Sequence, residues 1–213
     1  MNRALVDRSW PTLAAVIACV SLSAGAMLRP QPTASPATAP EPSGQEDAAD
    51  LPGAQHAALA TLAGDWNTST TLTVDGAEAG PAETGTARIE SILDLRFIAI
   101  HESGNMLGQP MAALKLVGFN NASGLFEATW VYTGSTATMR ARGVRDPDTG
   151  VITFQAQYAS GPDENERFII TLATAQPEAD AGAQPHRFTI SLVALMSDGA
   201  AGPTLTTVYT RSP

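Results

Sequence analysis

Lysine is all but missing from this chain. Of its 12 basic residues only Lys115 is a lysine, and the others are arginines. Charged residues fill 15% of the 213 positions, and acidic side chains outnumber basic ones 21 to 12, giving a net charge of −9. Phosphate binding needs a basic stripe, so nucleic acid is excluded as a partner, and anionic membrane surfaces are disfavoured on the same ground. Cysteine is as scarce. The single Cys19 lies near the N-terminus, so the remainder of the chain has neither disulfide nor thiolate nucleophile. No G-x-S-x-G elbow, Walker loop or dinucleotide fingerprint occurs. His56, His101 and His186 lack the spacing of a zinc site, so no metal is expected. With no catalytic residue to assign, the chain reads as a binding module rather than an enzyme.

Charge is also absent between Trp10 and Leu28, and Arg3 and Arg8 stand before that run. Residues 1–28 read as a signal peptide or membrane anchor, an apolar helix just long enough to span a bilayer. Three fates stay open. Ala24-Gly25-Ala26 is an A-x-A cleavage site, Val16-Ile17-Ala18-Cys19 resembles a lipobox that would lipidate Cys19, and the run could remain uncut. Each places the rest of the chain outside the cytoplasm, in the periplasm or cell envelope. Residues 29–54 are rich in Pro, Ala, Ser and Thr and read as a disordered tether, since they bury too little apolar surface to offset their ordering entropy.

The folded domain is expected over residues 55–213. "HAALATLA" (56–63) has helical spacing and stops at Gly64, after which the period becomes two. Ten segments follow with strand composition: 67–74, 83–93, 96–103, 111–120, 125–133, 136–144, 151–159, 167–173, 186–195 and 204–211. Short Gly, Asp and Asn turns separate most of them, which predicts an antiparallel meander. Closing it into an up-and-down barrel removes its edges. No helix recurs between strands, so a parallel α/β sheet is excluded. The fold class is therefore an all-β barrel of about ten strands behind one short helix. Phe126, Ala128, Trp130 and Tyr132 form one predicted inward face, Ile152, Phe154, Ala156 and Tyr158 another, and Phe168, Ile170, Leu172, Phe188, Ile190 and Leu192 the next two.

A helix followed by Gly64-Asp65-Trp66 and a final strand carrying Arg211 resembles the calycin barrels, the lipocalin and fatty-acid-binding group. The resemblance implies that Trp66 plugs one barrel end, with Gly64 beside it and Arg211 across its ring. Residues 56–213 also resemble the bacterial family known as domain of unknown function 1579. The carrying motifs are Gly64-Asp65-Trp66, Gly85-Thr86, Arg96-Phe97, Gly108-Gln109-Pro110, Gly118-Phe119-Asn120-Asn121, Trp130, Thr136 and Tyr209-Thr210-Arg211. The departures are Asp94-Leu95 where the family has paired glycines, Phe119-Asn120 where it has Tyr-Asp, and Tyr132 where an aspartate is usual. The family has no established reaction, so the resemblance implies a fold and not an activity.

A barrel of this size can enclose a small apolar or amphipathic ligand. Trp130 and Tyr132 are candidates for its aromatic wall. His101 shares a strand face with Phe97 and Ala99 and is a candidate for an inward position. Arg140, with Arg142, would meet an anionic headgroup if that face were interior, while ion pairs on a solvated face are the alternative for Arg140, Arg142, Arg88 and Glu90. No cofactor is expected. The alternative is haem on His101, as in the nitrobindin relatives of the calycins. A second alternative is a structural envelope protein acting through its outer face. The stretch 101–110 reads as a long hairpin loop, a candidate lid.

Overall fold

The computed structural model describes residues 51–159, 165–174 and 185–213. The proposed signal or anchor segment, Cys19 and nearly all of the tether lie outside the described residues. Among the described residues, no helix is long and apolar enough to cross a membrane.

A short helix, α1 (Ala54–Ala60), leads into β1 (Gly64–Val74). After a two-residue strand, β2 (Ala77–Glu78), come β3 (Glu83–Ile92), β4 (Phe97–Met106), β5 (Gln109–Asn120) and β6 (Leu125–Tyr132). Then follow β7 (Met139–Arg145), β8 (Ile152–Ala159), β9 (Asn165–Thr174), β10 (Arg187–Leu195) and β11 (Ala201–Arg211). Each long strand pairs antiparallel with its sequence neighbours, and β1 also pairs with β11 from Trp66↔Arg211 to Thr73↔Thr204. That last pairing closes ten long strands into an up-and-down barrel, so none of the ten is left as an edge strand.

Alternation decides what faces inward. On β8 the residues Ile152, Phe154, Ala156 and Tyr158 are buried and those between them exposed. Neighbours in register extend that face: Leu172, Ile170 and Phe168 on β9, then Ile190 and Phe188 on β10. One barrel end is packed solid. Trp66, Phe188 and Tyr209 are each 0% exposed there, and the Trp66 ring meets Phe188 edge-on at 4.8 Å. The Phe188 ring in turn lies flat on Tyr209 at 4.1 Å. α1 belongs to this end through His56, whose Nε2–H donates to the Phe119 carbonyl while Nδ1 accepts from Gly53 N–H.

Toward the other end, inward side chains are only half-buried: Thr68, Thr70 and Leu72 on β1, Leu205 and Thr207 on β11, and Leu192 on β10. Met111, Trp130 and Tyr132 on β5 and β6 match them. Burial thus falls off away from Trp66, which gives the barrel a cup-like gradient of packing with its floor there.

Several expectations are corrected. α1 ends at Ala60, three residues before its expected end at Ala63, and Gly64 opens β1 with φ +137° instead of capping the helix. The candidate lid at 101–110 is no loop: β4 runs to Met106 and β5 starts at Gln109, joined by a tight turn in which Leu107 and Gly108 have φ of +53° and +73°. The two-residue hairpin pairs the backbone that a lid would need free.

Candidate functional site

Polar residues inside an apolar barrel cost several kcal/mol unless paired, so the hydrogen bonds of the interior mark where a site can lie. One cluster stands out. Lys115, 7% exposed, projects inward from β5 and makes an ion pair with Glu102 of β4. Its ammonium also donates to the Tyr209 hydroxyl at 3.0 Å, and Tyr209 in turn donates to Glu102 Oε1. The three groups close a triangle in which each hydrogen bond has a defined donor.

Register explains how the triangle assembles. Lys115 is paired with Ile100, and Glu102 lies one inward position further along β4. Tyr209 comes from the far side of the barrel seam, where it pairs with Thr68 of β1 and Phe188 of β10. The triangle therefore sits directly above the aromatic floor formed by Trp66, Phe188 and Tyr209.

Trp130 completes the site. It is the cross-strand partner of Lys115 on β6, and the ammonium lies 4.9 Å from its ring centroid, a cation–π distance. Its indole Nε1–H is buried with no hydrogen-bond partner, a condition shared among the described residues only by Ser91 Oγ. An indole N–H usually finds an acceptor when buried. Toward the mouth, Tyr132 is the next inward residue of β6. Burial pushes its phenol pKa well above the usual value, with a further contribution from the Tyr158 phenol beside it. The neutral phenol is thereby favoured in the folded state.

Two of the residues expected at the ligand lie elsewhere. His101 and Arg140 point outward and are exposed. His101 pairs with Arg88 across the outer face and borders an open groove with Thr86 and Ser103. The phase of β4 is not legible from its pattern, because Ile98, Ala99 and Ile100 are all buried and burial does not alternate there. Phe97 suggested the inward phase, but its ring lies across Gly118, where any Cβ would collide with it. The haem alternative loses its interior histidine: His101 and His186 are exposed, and both ring nitrogens of His56 are engaged. Arg88 pairs with Glu90 at 2.8 Å and Arg142 with Glu127 at 3.5 Å, all on the solvated face.

The closed end is held by Arg211. Its guanidinium carbon sits 4.4 Å from the Trp66 ring centroid. Its three nitrogens donate to the carbonyls of Pro185, Ala63 and Thr61 at 3.0–3.1 Å, and Trp66 Nε1 donates to Leu62 O at 2.9 Å. Gly64 borders this knot, and a Cβ there would collide with Arg211 Nη1.

Lys115, Glu102 and Tyr209 were not expected as a site. The available signal was the chain's one lysine, set in the apolar strand "MAALKLVGFN".

Comparison with curated proteins gives no match. Among solved structures, Rv2717c from M. tuberculosis is similar at TM-score 0.51 and 12% identity, over 76% of this chain and 99% of that one. The ywiB protein from Bacillus subtilis is 12% identical over 70% of this chain and 91% of its own, with a TM-score of 0.30. The first likeness concerns the fold alone, and the second is too distant to carry an argument. Residues 51–211 match the family described as "Protein of unknown function (DUF1579)", and with three quarters of its length inside that match the chain belongs to it.

Proposed function

We propose that this barrel is an exported or membrane-tethered carrier that holds a small amphipathic molecule in its cup. The single observation carrying the reading is the arrangement of the interior. A paired Lys115–Glu102–Tyr209 cluster and an unpartnered Trp130 N–H lie beneath half-buried Leu72, Leu192, Leu205 and Met111. Ligand sites are built this way, from apolar walls with a few fixed polar groups. Export or tethering is supported by the uncharged run after Arg3 and Arg8 and by the Pro-rich stretch behind it.

Native mass spectrometry of the purified full chain tests the reading. The expected result is a small apolar adduct that organic extraction removes, with Trp130 emission changing as it leaves. A bare polypeptide mass under gentle conditions, with emission unmoved by amphipathic probes, would overturn it. A co-purifying protein in place of a small adduct would favour an envelope scaffold.

A further inference from the structure

We infer that the cup selects an uncharged hydrogen-bond acceptor, an ester, amide or ketone oxygen at the head of the ligand, and rejects a free carboxylate. The inference rests on the carrier reading and adds the chemical class of the head group.

The argument is one of charge and donors. Lys115 is the interior cation nearest Trp130, and its charge is already matched by Glu102. An entering carboxylate would meet a neutral pair whose negative member is 8% exposed and held by both Lys115 and Tyr209. To gain the ammonium it must displace or protonate Glu102, and a like charge at that range in a low-dielectric interior is strongly repelled. An alkylammonium fares no better, because Lys115 occupies the carboxylate it would seek. Meanwhile the donors are in excess. Trp130 Nε1–H lacks an acceptor, and Lys115 spends two of its three protons on Glu102 and Tyr209. A neutral carbonyl oxygen brings lone pairs and no charge, so it can accept from the indole or from the remaining ammonium proton without disturbing the ion pair. Its alkyl portion would run toward the mouth along Leu72, Leu205 and Leu192, whose inward side chains are half-buried.

The test compares three matched probes on the full chain, followed by tryptophan emission and calorimetry near neutral pH: methyl dodecanoate, dodecanoic acid and dodecylamine. The ester should bind at least about tenfold more tightly than the acid or the amine, the effect of about one net hydrogen bond. Trp130→Phe keeps the ring and removes the donor, and should weaken the ester while leaving the acid unchanged. Glu102→Gln removes the matching charge and should reverse the order, so that the acid binds best. Equal or tighter binding of the acid to the wild-type chain would overturn the inference and leave the carrier reading intact. No binding of any probe would overturn both. The wild-type comparison stands even if Glu102→Gln fails to fold, which its melting curve would show.

Discussion

At Gly64 two demands fall on one residue. The backbone has a φ of +137°, where side chains are rarely tolerated, and the space a Cβ would take is filled by Arg211 Nη1. A long side chain can usually swing clear. Arg211 cannot do so freely, because three carbonyls and the Trp66 ring fix it. Gly64→Ala should therefore cost about 2–4 kcal/mol, combining backbone strain of about 1–3 kcal/mol with part of a cation–π contact worth about 0.5–2 kcal/mol. Chemical denaturation would measure it; a midpoint within error of wild type would mean that Arg211 moves aside at no cost. The sequence showed the glycine, the tryptophan and the arginine, and their family pattern placed them together. It did not show why glycine is needed, since the clash involves a residue far along the chain.

At the scale of the element, the turn between β3 and β4 is the oddest in the barrel. Leu93, Asp94 and Leu95 all have positive φ, at 51°, 53° and 68°, and Arg96 N–H closes the turn on Leu93 O. Tight hairpins want left-handed residues because their twist then matches the strands, and glycine or asparagine usually supplies them. Here leucine does, exposed and strained by about 1–2 kcal/mol at such a residue. Leu95→Gly should stabilise the fold by about 0.5–1 kcal/mol after the added chain entropy is offset. A thermal melt would register a rise of a few degrees; a fall would mean that the Leu95 side chain makes a contact worth more than the strain.

The same element scale separates what was readable from what was not. Strands β6 and β8 alternate cleanly, so Trp130, Tyr132 and Phe154 were placed on their correct face. The turn at Asp75-Gly76 has the usual residues for φ of +51° and +79°. β4 hides its phase because three successive residues are buried, so alternation alone does not place His101 outward and Glu102 inward. Lys115 was visible as an anomaly, but its partners come from β4 and β11. Only the cross-strand registers bring those three together.

For the whole molecule, packing is tightest at the floor of the cup and looser toward the rim. The ring stack from Trp66 through Phe188 to Tyr209 ends at the phenol that holds Lys115 and Glu102. The polar cluster is thus mounted on the best-packed part of the barrel, where a site has least freedom to drift. Positions nearer the mouth on β1, β10 and β11 are half-buried and free of that constraint. The outer face, with its exposed arginines and separate ion pairs, contributes solubility and little stability.

The seam between β1 and β11 also sets the order of events when the chain acquires its shape. The Arg211–Ala63 hydrogen bond joins residues 148 positions apart, and every β1–β11 pair spans a comparable interval. The other long strands can zip locally, hairpin by hairpin, while the seam must wait until both ends of the meander meet. Contacts made after the rate-limiting step act on unfolding alone. Arg211→Ala should accordingly speed unfolding while leaving the refolding limb of a stopped-flow chevron in place; a slowed refolding limb would show that closure comes early. If the seam is the last bond made, it is also the first place for the cup to come apart.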